Sequence, residues 1–301
     1  MKRIATIDCG TNTLLLLIAE WDGKELRALE DHAEIVRLGE GLDRTGQLSE
    51  AAMQRTLAVL ERYCERIRAT ECTIAHAIGT ESVRKAENGE DFIAAANRLL
   101  TSVGGRFESV SGAREAELAF LAVRASFPRL EPPITVIDIG GGSTEILIGS
   151  DTIEEMVSLP IGAVRLHERL LAHDPPTEEE RRALERTIDE AVRHSPRPRG
   201  TVVGIAGTVT TLAAMVQALP AYDAERVHGA TLTGRELSGQ IDRLYRLPLA
   251  ERKQLAGLHP ARADVIFAGA LILQRLLQHH DCLVSDRGIR WGLAYELAAQ
   301  N

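Results

Sequence analysis

The feature that most constrains this chain is an Asp-x-Gly turn, set between two apolar runs, that occurs twice. The first copy is Ile7-Asp8-Cys9-Gly10-Thr11-Asn12-Thr13, leading into Leu14-Leu15-Leu16-Leu17-Ile18. The second runs from Val136 and Ile137 through Asp138-Ile139-Gly140-Gly141-Gly142-Ser143-Thr144-Glu145 into Ile146-Leu147-Ile148. Each reads as strand, tight turn, strand. Glycine lets the backbone take positive φ and lets N–H groups approach a ligand closely. A row of such N–H groups forms a concavity suited to phosphate. Asp138 and Glu145 would repel a phosphate unless a cation lay between, so the pattern implies a divalent metal as well. A single copy is read equally well as a glycine-rich hairpin with a buried aspartate capping its turn. The recurrence argues for an internal duplication. A third loop, Gly204-Ile205-Ala206-Gly207-Thr208-Val209-Thr210, follows another short apolar run.

The 301 residues allow one large domain or two ordinary ones. The net charge is −8, so the chain as a whole is no general nucleic-acid binder. A polyanionic substrate would need a locally basic site and a metal. The four cysteines, Cys9, Cys64, Cys72 and Cys282, show no C-x-x-C spacing and read as free thiols of a reducing, cytoplasmic compartment. Lys2-Arg3 precedes a segment broken by Asp8, a poor signal peptide. Val265 to Leu277 is too short and interrupted to span a bilayer, so no membrane partner is expected.

Along the chain, strands are expected at Ile4 to Asp8, Thr13 to Glu20, Lys24 to Asp31 and Ala33 to Leu38. Ser49 caps a helix reaching about Ala69, whose apolar positions Ala52, Met53, Leu57, Leu60, Cys64 and Ile67 follow the helical period. A strand at Thr73 to Ile78 leads through Gly79-Thr80 into a helix carrying Arg84. Further helices are expected from Asp91 to Leu100 and from Ala113 to Ser126. Phe127-Pro128 to Pro132-Pro133 reads as the boundary between domains at 1–126 and 127–301. The second half repeats the plan. Thr177-Glu178-Glu179-Glu180 and Thr233-Gly234-Arg235-Glu236 read as capping boxes, Ala263 to His279 as a buried helix, and Asp286 onwards as a last helix that can pack back on the first domain.

Two residues have competing readings. Glu115 stands in the first turn of a helix, where the dipole favours a carboxylate; it also suits a general base. Arg84 is either a solvated helix arginine or a guanidinium fork for phosphate. The arginines of 181–199 are interleaved with glutamates and read as a solvated face. No His pair has metal-ligand spacing, and Gly140-Gly141-Gly142-Ser143 is not a Walker loop, because no lysine follows.

The ordered set of motifs resembles the exopolyphosphatase and guanosine pentaphosphate phosphohydrolase family, in its short two-domain form. The resemblance rests on the two Asp-x-Gly turns, Gly79-Thr80-Glu81-Ser82-Val83-Arg84, Val110-Ser111-Gly112-Ala113-Arg114-Glu115-Ala116, Gly204 to Thr208, Arg262-Ala263-Asp264-Val265-Ile266 and Ser285-Asp286-Arg287-Gly288-Ile289-Arg290. It implies an α/β fold of two actin-like (ribonuclease H-like) domains facing across a phosphate-binding cleft. It implies hydrolysis of a terminal phosphoanhydride with Mg²⁺, or Mn²⁺ in its place. Glu115 matches the family's catalytic base, and Asp138 and Glu145 its acidic residues around metal and water, with Asp8 a further metal residue. Thr11, Asn12 and Thr13 match the first phosphate loop, Gly141, Gly142 and Ser143 the second, and Gly207 and Thr208 the third; Arg84 matches a substrate-phosphate arginine.

The sequence departs from the family in three places. Threonines replace serines in the first loop, Glu81 adds a negative charge, and Trp291 stands where an acidic residue is usual. Longer members carry further helical domains that help hold long polyphosphate. The expected substrate is inorganic polyphosphate, with guanosine pentaphosphate the alternative, a sensor or a small kinase the remote ones, and a homodimer left open.

Overall fold

The computed structural model describes residues 1–300. Two mixed sheets share one plan. In the first, β1 (Lys2–Cys9), β2 (Thr13–Trp21), β3 (Leu26–Ile35), β4 (Ile74–Gly79) and β5 (Arg106–Ser109) lie in the order β3-β2-β1-β4-β5. β1, β2 and β3 form an antiparallel meander, while β4 runs parallel to β1 and β5 parallel to β4. In the second sheet, β6 (Ile134–Ile139), β7 (Thr144–Gly149), β8 (Ile153–Leu159), β9 (Thr201–Ile205), β10 (Thr231–Leu232) and β11 (Cys282–Val284) lie in the order β10-β11-β9-β6-β7-β8. Read from β8, that is the first order with one antiparallel strand added at the edge. The fold is α/β, of the actin-like (ribonuclease H-like) class that the family resemblance implied.

The chain divides into two compact units, residues 1–125 with the last helix, and residues 126–288. That last helix, Ile289–Ala299, therefore groups with β1 and β2 rather than with the sheet that precedes it in sequence. β3 is one strand where two short ones were expected, because the residues on both sides of His32 continue the same ladder with β2.

Each core follows from side-chain alternation along the inner strands. Ala5, Ile7 and Cys9 point one way from β1, and join Val59, Leu60, Tyr63 and Ile67 of the helix Glu50–Ala69 and Phe92 of the helix Gly89–Leu100. Burying a side chain such as Phe92 contributes about 1.5–3 kcal/mol. The helix Glu50–Ala69 starts where Ser49 accepts from the Ala52 N–H, and the boxes at Thr177 and Thr233 are formed as expected. Thr6 and Asp8 alternate to the opposite face of β1.

The last helix approaches the helix Gly112–Ser126 closely enough that a Cβ at Gly292 would overlap the Leu118 carbonyl. Gly292→Ala must therefore push the two helices apart. It is expected to destabilise the protein by about 1–3 kcal/mol, read as a lower Tm and denaturation midpoint, whereas a smaller glycine-to-alanine helix gain would appear if the contact were loose.

Candidate functional site

The two Asp-x-Gly turns are closed by the same hydrogen bond. Gly10 N–H donates to the Thr13 carbonyl at 3.0 Å, and Gly140 N–H to the Ser143 carbonyl at 3.0 Å. What surrounds them fixes which way their amides face. In the second unit, the carbonyl of Gly140 accepts from Ala163 N–H, and that of Gly141 from both Val164 and Arg165 N–H, each at 3.0 Å. The Arg165 guanidinium donates to the Gly142 carbonyl. Gly162 permits this approach, since a Cβ there would overlap the Gly141 carbonyl. In a trans peptide the N–H of the next residue points opposite to the C=O. The amides of Gly141, Gly142 and Ser143 are thus turned away from the helix Ala163–Leu170, as a group.

The first unit reaches the same result with other residues. The Thr11 carbonyl accepts from Gly39 N–H at 2.8 Å, and the Asn12 carbonyl from Val36 and Arg37 N–H at 3.0 and 2.9 Å. The amides of Asn12 and Thr13 therefore face away from residues 36–39. Arg37 holds its clamp at a φ of 50°, a left-handed conformation rare for a residue with a side chain. Successive amides presented on one side form an anion-binding nest, and these are the residues assigned to phosphate from the sequence.

The crossover strands close each turn in a matching way. Thr80, following β4, sends its hydroxyl to the Cys9 carbonyl, and Thr208, following β9, sends its hydroxyl to the Ile139 carbonyl, both at 3.3 Å. Gly207 and Thr208 lie in the first turn of the helix Ala206–Val216, and a Cβ at Gly207 would collide with the Arg262 guanidinium.

The carboxylates differ between the units. Asp138 stands directly opposite Glu145 across β6 and β7, so the two side chains share one face. Like charges directly opposite destabilise a sheet, an arrangement that suits a cation. Ser158 donates to Glu145 Oε1 at 2.7 Å. The corresponding partner of Asp8 is Leu15, not an acid. Asp8 is buried, its Oδ1 has no hydrogen-bond partner, and burial raises its pKa from 3.8 to about 6 despite the Arg290 charge. An orphaned anionic oxygen is a donor atom of the kind Mg²⁺ takes. Among the described residues no three His, Cys, Asp or Glu side chains form a ready cage; Mg²⁺ typically uses one or two carboxylates, with waters and substrate phosphates.

Arg84 and Glu115 come together. The short helix Glu81–Lys85 after β4 carries Arg84, whose Nη1 donates to the Val110 carbonyl at 2.6 Å and to Glu115 Oε1. Glu115 is buried in the first turn of the helix Gly112–Ser126. The surplus charge expected at Glu81 is met by Lys85 one turn on. Two contributors were missed from the sequence. Arg165 carried no motif, although Gly162 beside it marked a close approach. Asp31 lay in an ordinary-looking strand, yet it accepts from both Arg290 and Trp291, supplying an acid beside the position where one is usual.

Duplicated sheets of this order, each with an amide-lined turn, define a phosphate-handling protein of the actin-like class. The Ppx/GppA phosphatase family matches residues 17–301, and the chain belongs to it. It is similar to Exopolyphosphatase 2 of Mycobacterium tuberculosis, 36% identical over 316 residues that cover 99% of each chain. Exopolyphosphatase 1 of the same organism is 30% identical over 283 residues, covering 90% of this chain and 80% of that one. The crystal structure of the Aquifex aeolicus family member superposes with a TM-score of 0.84 at 34% identity, covering 100% of this chain and 99% of the other. That of an exopolyphosphatase from Cytophaga hutchinsonii gives 0.89 at 29%, covering 99% and 98%.

Asp8 carries a stability cost with a defined pH window. Its folded pKa lies above the ordinary value, so the penalty is absent below about 3.8 and full above about 6. Asp8→Asn is expected to raise Tm at neutral pH, with the gap to wild type closing as pH falls through that window; a lower Tm at pH 7 would contradict the assignment.

Proposed function

We propose that this protein is an exopolyphosphatase that hydrolyses the terminal phosphoanhydride of inorganic polyphosphate and releases orthophosphate. The observation that carries the reading is the pair of clamped turns, each presenting successive amides on one side. The exopolyphosphatases among its relatives support the substrate class. The amides of Asn12, Thr13, Gly141, Gly142 and Ser143, with the Thr11 side chain and the first turn of Gly207 and Thr208, bind phosphoryl oxygens. These donors are fixed before substrate arrives, so they stabilise developing charge without reorganising.

Glu115 accepts the proton of the attacking water, and Arg84 aims its carboxylate through Nη1. A guanidinium carries five N–H donors, so the rest of the Arg84 fork is available in kind for a substrate phosphate. Asp138 and Glu145 in the second unit, and Asp8 in the first, are the residues that would hold Mg²⁺, or Mn²⁺, which would neutralise phosphoryl charge. Water is the acceptor, and no second-substrate pocket is needed.

The test is phosphate release with Mg²⁺ from long polyphosphate, short polyphosphate, guanosine pentaphosphate and ATP in parallel. Polyphosphate is expected to be the preferred substrate; preference for guanosine pentaphosphate would reassign the activity. Glu115→Gln is expected to lower the rate by about 10²-fold or more with Tm preserved. A near-normal rate in that variant would remove Glu115 from the mechanism.

A further inference from the structure

Asp8 has a cation at hand that is bonded elsewhere. Thr6 and Asp8 share the face of β1 opposite to Ala5, Ile7 and Cys9. Thr6 is in register with Leu17 of β2, and Leu17 with Asp31 of β3. Thr6 and Asp31 thus belong to one cross-strand rung, next to the rung of Asp8 and Leu15. The last helix lies over this face, with the Thr6 hydroxyl donating to the Arg290 carbonyl at 2.8 Å. From there Arg290 sends Nε and Nη2 to the two oxygens of Asp31, at 2.9 and 3.0 Å. Trp291 Nε1 adds a third bond at 3.3 Å. Asp8 Oδ1 stays buried without a hydrogen-bond partner, although the Arg290 charge reaches Asp8.

We propose that Asp31 is a positioning residue that draws Arg290 away from Asp8 and so keeps the Asp8 carboxylate open to a cation. The inference rests on the metal role given to Asp8 above. Two carboxylates compete for one guanidinium. The partly exposed Asp31 wins by offering both oxygens to one edge of the fork, the strong and geometrically specific pairing. Trp291 and the Thr6 bond hold the pair in place from the helix side. Without the Asp31 charge, the Arg290 guanidinium loses its two-oxygen partner, and the buried Asp8 carboxylate, which already feels its charge, can draw it. An Asp8–Arg290 pair would use the oxygen that a cation needs and would place a like charge beside that cation.

The test compares wild type, Asp31→Asn, Asp31→Glu and the double variant Asp31→Asn/Arg290→Gln. Mg²⁺ is titrated into each by calorimetry, with Tm and the Mg²⁺ dependence of phosphate release measured in parallel. Asp31→Asn is expected to weaken Mg²⁺ binding by about tenfold, the scale of one charged hydrogen bond. The Mg²⁺ concentration for half-maximal rate should rise by the same factor, with the saturating rate close to wild type. Asp31→Glu should stay near wild type, and the double variant should regain affinity because the freed guanidinium is gone.

A merely structural role for Asp31 would instead lower Tm and the saturating rate, with no recovery in the double variant. Unchanged Mg²⁺ affinity in Asp31→Asn, absence of recovery in the double variant, or no Mg²⁺ binding by wild type overturns the proposal. A wild type that binds Mg²⁺ in an Asp31-dependent way, yet releases no phosphate from polyphosphate, would sink the exopolyphosphatase reading and leave this one standing.

Discussion

The structure depends on one constraint of the peptide unit: a carbonyl that is held by a hydrogen bond fixes the direction of the amide that follows it. In both units the turn after the Asp-x-Gly aspartate has its carbonyls taken up on one side, by residues 36–39 in one and by the start of the helix Ala163–Leu170 in the other. The amides are left pointing the other way. The clamps are unrelated in sequence and equivalent in effect. They account for Gly39 and Gly162, where a Cβ would strike Thr11 and Gly141 respectively, and for the left-handed backbone of Arg37. Such strain, of order 1–3 kcal/mol, persists only where its surroundings over-determine it.

Around the turns, charge is arranged against folding stability. Asp138 faces Glu145 across a ladder, and Asp8 is buried with an unpaired oxygen. Elsewhere the protein answers such costs locally: Lys85 pairs with Glu81, Arg114 with Glu296, and Arg84 with Glu115. Asp8 Oδ1 has no such answer, which is the pattern expected where a ligand completes the site.

Much of the fold was legible because it rests on local signals. The Asp-x-Gly hairpins, the Ser49 cap, the two capping boxes and the helix from Gly112 each follow from short stretches read with a period or a cap rule. The duplicated turn pointed to an internal duplication, and the two sheets share one strand order. The single long β3 was not legible, since its continuity past His32 comes from pairing with β2 rather than from its own exposed, mixed residues. The residues carried over to phosphate, from Thr11 to Thr208, could be named, but the direction of their amides could not. That direction is set by partners roughly two dozen residues away along the chain.

The sequence by itself determined most of the elements, the duplication and the family, because periodicity, turn chemistry and motif order are local properties of the chain. Tertiary structure alone decided which groups meet. It put Arg84 on Glu115, Arg165 on the Gly142 carbonyl, and Arg290 on Asp31, 259 residues apart. The grouping of the last helix with the first unit, by contrast, was already among the sequence expectations. Hydrogen bonds between segments distant in sequence leave no local imprint on either segment, since an Asp in an exposed strand and an Arg at a helix start look the same whether or not they bond.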